Sequence, residues 1–214
     1  MKIKSFHLTA TTDMDFDFVS ASSVAVLRGN YSNLVLDLMR EVIGDYDSAD
    51  SPDRINDGSF VLHADVAIAG KDYSVCYIRN ADYIGDNRIG VNFVPDSTDF
   101  SLDDTYEYMS LCEGINIGDE NIFDSRKLCA DQLPESDRYI ASFENFLDGL
   151  SMEDTRPIFV YDFFDHIDAY VNITPYFDRL IACGRQVFVS VTKDCFVNDK
   201  RMTDLCVDGV FIQE

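Results

Sequence analysis

Two stretches carry residues whose types and spacing could do chemistry. Ile158-Phe-Val-Tyr161 is an unbroken apolar run that closes on Asp162 and is followed by Phe163, Phe164, Asp165, His166 and Asp168. Flanked by polar sequence, such a run reads as a strand buried on both faces, with Asp162 at its C-terminal end. Open α/β sheets bind ligands at that edge, where an acid ordinarily serves a magnesium or phosphate site. The second stretch is Arg28-Gly-Asn-Tyr-Ser-Asn33, between the apolar Ser23 to Leu27 and a helical pattern from about Leu34 to Ile43. Strand, short glycine loop and helix is the layout of a loop whose backbone N–H groups wrap an anion. A tight turn at Gly29 with Ser32 or Asn33 as helix cap gives the same pattern.

Other candidates are weaker. Asp13, Asp15 and Asp17 alternate with Met14, Phe16 and Phe18; acids two apart on a strand form a wet face more often than a metal site. Asp45, Asp47, Asp50 and Asp53 have a calcium-loop rhythm without its turn glycine or closing glutamate. His166 lies in an acidic turn after a strand and reads as a surface or capping residue, while His7 and His63 fall on expected strands without obvious partners. Cys76, Cys112, Cys129, Cys183, Cys195 and Cys206 form no C-x-x-C pair and no zinc spacing, so they read as reduced core thiols. The expected metal set is none, with Asp162 the single candidate if a site exists. Ser/His/Asp and Cys/His constellations assemble only in three dimensions and leave no spacing signature here.

The elements that must position these residues follow from composition and pattern. With 214 residues and 46% hydrophobic content the chain can bury a sizeable core. Its 39 acidic and 17 basic residues give a formal charge of −22, which repels nucleic acid and anionic lipid, so neither is expected as a partner. The start, Met-Lys-Ile-Lys-Ser-Phe, has no signal-peptide core, and no apolar run approaches spanning length; a cytoplasmic location is expected. Strands are expected at Lys2 to Leu8, Asp13 to Phe18, Ser23 to Leu27, Phe60 to Ile68, Tyr73 to Arg79 and Arg88 to Phe93, with Phe60 to Arg79 a hairpin about a Gly70-Lys71 turn. Helices are expected at Leu34 to Ile43 with Gly44 as its stop, at Asp103 to Cys112, at Ser136 to Leu150, and through Tyr176, Leu180 and Ile181. Glu113 to Glu120 is expected as loop, and Gly184 to Thr192 contains the strand after the last helix. Ile158 to Tyr161 and Val187 to Val191 should be adjacent central parallel strands, with the N-terminal strands and Phe60 to Arg79 forming an antiparallel sheet.

This order of elements resembles the head domain of ABC-type and SMC/RecF-like P-loop ATPases over nearly the whole chain. The resemblance implies one α/β domain, a P-loop NTPase-like sheet with an antiparallel β subdomain. Residues 1–95 would supply the N-terminal strands, first helix and antiparallel sheet, 96–150 an acidic helical insertion, and 151–214 the central strands with Leu205 to Ile212 in a closing hairpin. It also implies a nucleotide site at Arg28, Gly29, Asn30, Tyr31, Ser32, Asn33 and Asp162, the last matching the Walker B acid.

Four functional positions depart from the family. The Walker A pattern is G-x-x-x-x-G-K-[ST], and with Ser32 as the hydroxyl residue Tyr31 stands at the lysine; with Gly29 as the first glycine, four loop residues are missing. Gly149-Leu-Ser151 is the only echo of the signature, Phe163 stands at the catalytic glutamate, and Thr192 at the switch histidine. No heptad pattern marks a coiled-coil arm. Phosphoryl transfer depends on charge stabilisation and water positioning. The expectation is therefore a catalytically inactive ATPase-like domain acting as a protein interaction or assembly module, without cofactor, with an unknown protein partner and a possible homodimer not bridged by nucleotide. The alternative is a nucleotide-binding protein or weak ATPase using ATP and Mg²⁺ on an altered loop.

Overall fold

A computed structural model describes residues 1–10, 15–19, 23–43, 60–79, 90–94, 102–115, 117–128, 135–168, 171–192 and 202–206. In chain order its strands are β1 (Lys2–Ala10), β2 (Asp15–Val19), β3 (Val24–Arg28), β4 (Phe60–Ile68), β5 (Lys71–Arg79), β6 (Gly90–Val94), β7 (Ile122–Asp124), β8 (Ile158–Tyr161), β9 (Val187–Val191) and β10 (Met202–Cys206). The helices are α1 (Ser32–Val42), α2 (Leu102–Ile115), α3 (Glu135–Gly149) and α4 (Thr174–Ala182). Two compact units result, one of residues 1–20, 37–116 and 208–214, the other of residues 21–36 and 117–207.

The first unit holds an antiparallel sheet in the order β2-β1-β4-β5-β6. Alternation sets its faces: Ala64, Val66 and Ile68 of β4 and Tyr73 and Val75 of β5 are buried, while His63 and Asp65 are exposed. On β1 the buried residues are Ile3, Phe6 and Leu8, and the register shift between Ile3 and Ser5 explains the three-residue step, since a bulge adds one residue to one strand. The β4–β5 hairpin turns at Ala69-Gly70, both at positive φ (51° and 81°), the conformation that matches strand twist in a two-residue loop. The turn falls one residue earlier than the pattern placed it. Helix α2 buries Thr105, Tyr108 and Cys112, a narrow stripe at helical spacing. Tyr108 meets Tyr73 edge-on at 5.1 Å and donates its hydroxyl to the Val42 carbonyl at 2.7 Å.

The second unit is a parallel sheet in the order β10-β3-β9-β8-β7. All residues of β8 and β9 are buried, as the continuous apolar runs require. Ile158, Val160, Val187 and Val189 join Tyr139, Phe143 and Leu147 of α3 and Phe177 and Leu180 of α4 in one core. Phe159 and Phe188, one residue out of phase, stack on each other at 5.5 Å.

The expected adjacency of Ile158–Tyr161 and Val187–Val191 and the expected antiparallel sheet are both present. Three details differ, and a fourth expectation falls mostly outside the described residues. Within the expected helical insertion 96–150, Ile122–Asp124 is a parallel edge strand between two 3-10 turns, an element the pattern did not place. Helix α2 continues to Ile115, through residues expected as loop. Of the expected closing hairpin, Leu205 to Ile212, only Leu205 and Cys206 are among the described residues; they end β10, which pairs parallel to β3. Cys76 is only partly covered, whereas Cys112 and Cys183 are core thiols. Asp13, Gly44, the acidic loop 45–57, Cys129 and Cys195 lie outside the described residues.

Candidate functional site

The C-terminal ends of β3, β8 and β9 bring the two chemistry-bearing stretches together. Gly29, at φ 131°, takes the chain from β3 into α1, and its N–H donates to the Val191 carbonyl at 2.8 Å. That φ lies where a side chain is strained, which is why glycine holds the turn. Ser32 N–H donates to the Gly29 carbonyl at 3.1 Å, and the buried Ser32 hydroxyl points at the Val191 carbonyl, 3.4 Å away. Helix α1 starts at Ser32, so Ser32 and Asn33 lie in its first turn and neither is the residue before it. Tyr31 and Asn30 are exposed, and Arg28 is half-buried at the end of β3.

Asn33, expected as a cap, instead bridges two strands. Its Nδ2 donates to Asp162 Oδ2 at 2.7 Å, and its Oδ1 accepts from the Ser190 hydroxyl at 2.5 Å. Ser190 Oγ in turn accepts from the Asp162 N–H at 3.3 Å. Asp162 is held at φ 52°, a left-handed conformation that Asp tolerates better than most residues. Asp162 Oδ1 is buried with no hydrogen-bond partner among the described residues. Ser190 was not anticipated as a site residue; the signal was there, one hydroxyl in the otherwise apolar run Val187 to Val191.

Beyond Asp162 the chain makes a 3-10 turn, Phe163–His166. Phe163 is fully buried and its ring stacks on Phe143 at 3.8 Å, with Phe164, Phe123 and Tyr176 edge-on around it. Buried Asp165 accepts through Oδ2 from both Thr192 N–H (2.7 Å) and Thr192 Oγ1 (2.8 Å). His166 is half-buried and lies flat on Tyr139 at 4.1 Å. Arg126 grips Asp124 through two N–H···O bonds of 2.8 Å and lies over the Tyr161 ring at 4.4 Å. No group of three metal-ligating side chains converges among the described residues.

Burial pushes the Asp162 carboxyl above its ordinary value; Asn33 opposes this, neighbouring Asp165 adds to it, and Arg126 and His166 oppose it weakly. A carboxyl raised on folding favours the native state most when protonated. Its charge therefore penalises folding as pH rises from the ordinary 3.8 through the folded value, and fully above that. Asp162→Asn keeps an acceptor for Asn33, tolerates the left-handed backbone and removes the charge. At pH 7 it is expected to stabilise by about 0.5–2 kcal/mol, the usual gain from relieving one unfavourable feature. The gain should shrink toward pH 4. Urea midpoints at both pH values test this, and a variant less stable than the parent at pH 7 refutes it.

No known family profile and no curated protein matches the sequence. Solved structures do match its fold. An SMC head bound to the C-winged helix domain of ScpA superposes with a TM-score of 0.62, 8% identity and coverage of 91% of this chain and 90% of that one. The SMC head domain from Thermotoga maritima superposes with a TM-score of 0.50, 11% identity and 90% coverage of each chain. Among the described residues no helix is long and apolar enough to cross a membrane. The chain has the α/β fold of an SMC head domain, with a parallel sheet in one unit and an antiparallel sheet in the other.

Proposed function

We propose that this chain is an ATPase-like head that has given up nucleotide chemistry and serves as a protein interaction or assembly module. One observation carries the reading: the Asn33 carboxamide spans Asp162 and Ser190. In a P-loop enzyme the acid at the end of this strand shares a magnesium ion with the loop hydroxyl. Here the group facing Asp162 is an amide, whose N–H points its positive end at the oxygen a cation would need. That pairing aligns Asn33 with the hydroxyl position and Ser32 with the lysine, one residue later than the sequence alone suggests. In either register no lysine falls within Arg28 to Asn33.

Three further observations support it. Gly29 and Ser32 N–H groups, which a phosphate cradle would turn outward, are taken by carbonyls of the protein. Phe163, at the glutamate position, is a core residue that cannot orient water. Thr192, at the switch position, spends its N–H and hydroxyl on Asp165. An interaction role is supported by the SMC head that was solved with a winged-helix domain bound, and a small winged-helix domain is the first partner chemistry to try. A homodimer, if formed, would not be bridged by nucleotide. The unpartnered Asp162 Oδ1 favours a second reading, weak Mg²⁺–nucleotide binding on an altered loop.

Calorimetric titration of ATP with Mg²⁺ separates the two. No binding at millimolar ATP and no thermal shift are expected, whereas a ligand at a hundred times its Kd would add about 2.7 kcal/mol. A micromolar Kd lost in Asp162→Ala, or ATP-dependent dimerisation by light scattering, overturns the module reading.

A further inference from the structure

The antiparallel sheet gathers metal-ligating residues that are far apart in sequence. His7 of β1 is register partner to His63 of β4, and His63 is register partner to Cys76 of β5. Register partners in antiparallel strands project from the same face. Their chain neighbours Phe6, Leu8, Ala64 and Val75 are buried, so the row lies on the opposite face, with His63 exposed and His7 and Cys76 half-buried. The adjacent row is already satisfied: Asp65 accepts from Ser5 at 2.7 Å and Ser74 at 2.6 Å.

We infer that His7, His63 and Cys76 form a binding site for a soft divalent cation, Zn²⁺ being the ion the donor set fits. Imidazole and thiolate are the ligands zinc selects, and magnesium and calcium prefer oxygen. With Zn–S near 2.3 Å and Zn–N near 2.0 Å, two tetrahedral ligands lie about 3.6 Å apart. Cys76 Sγ and His63 Nε2 are 3.9 Å apart, close to that edge before any side chain moves. His7, one strand spacing of about 4.8 Å along the row, completes three protein ligands by side-chain rotation, and water takes the fourth place. As placed the three do not converge; the bond to the ion is what draws the third ligand in, and the Cys76 thiol gives up its proton to solvent on binding. The site stands independently of the strand-end network around Asp162.

The test is titration of Co²⁺, a coloured stand-in for zinc, into the reduced full chain with excess Mg²⁺ occupying surface carboxylates. One equivalent is expected to produce thiolate-to-cobalt absorption and the intense visible bands of tetrahedral cobalt, both abolished by Zn²⁺. Cys76→Ser should remove the charge-transfer band. His63→Ala and His7→Ala should each weaken binding at least about 10-fold, the loss that even outer-shell partners produce. His63 is exposed, so its variant keeps the test decisive should Cys76→Ser lose the fold by circular dichroism. A band retained in Cys76→Ser, or affinity unchanged in both histidine variants, overturns the proposal.

Discussion

Phe163→Glu, the substitution that would place a glutamate directly after Asp162 as the proposed comparison with active heads asks, is expected to unfold the second unit and confer no hydrolysis. The ring sits at zero exposure among Phe123, Phe143, Phe164 and Tyr176. Truncating such an aromatic costs about 3–5 kcal/mol through lost transfer energy and the cavity left behind. Glutamate adds the desolvation of a carboxylate, several kcal/mol more, with no cation among those rings to offset it. Since native domains rest on about 5–15 kcal/mol, the sum is comparable to the whole. Circular dichroism melts of Phe163→Ala and Phe163→Glu are the measurement. A Glu variant that melts near the parent and hydrolyses ATP would show that this position is a working site that the fold merely conceals.

Asp154→Ala is expected to cost about 3–5 kcal/mol, the price of stranding a buried charge. At the N-terminal ends of β8 and β9, Arg185 is 2% exposed in its side chain, lies 3.5 Å from Asp154, donates to the Arg156 carbonyl at 2.7 Å and reaches Asn121 Oδ1. Asp154 also takes Arg156 Nε and Nη2 at 2.7–3.0 Å. Burial alone would raise the Asp154 carboxyl, but hydrogen bonds from Arg156 and the charges of Arg185 and Arg156 hold it below the usual range. A depressed carboxyl contributes stability above the ordinary 3.8, and that contribution is lost as pH falls through the folded value. Glu120 is the internal control: it meets Arg156 at 2.8 Å but is 58% exposed, and exposed pairs contribute about 0.2–1 kcal/mol. Urea midpoints decide it. If Asp154→Ala costs no more than Glu120→Ala, the cluster is not the clamp described.

What the sequence made legible follows from where the information lies. A strand buried on both faces writes itself as four apolar residues, so Ile158–Tyr161 and the acid beyond it could be read directly. The hairpin of β4 and β5 was equally local. Strand β7 was hidden because three residues between two 3-10 turns carry no period. The parallel seat of β10 depends on a partner at the other end of the chain, which no local alternation encodes. At the site, a carboxamide can cap a helix or bridge two strands with the same atoms. Asn33 therefore looked like a cap until Ser190 and Asp162 were placed beside it. His7, His63 and Cys76 lack any sequence-local spacing because their relation is a strand register.

The placement of β3 between β9 and β10 has a consequence for biosynthesis. Val24 pairs with Val187 on one side and Met202 on the other, so both edges of an early strand are sealed by residues that leave the ribosome late. The antiparallel sheet, complete by Val94, can form while translation continues. The parallel sheet cannot, and loops of that length make its closure slow. Until residue 187 emerges, Val24 to Leu27 is an apolar strand with two open edges, the form most prone to pair with another nascent chain.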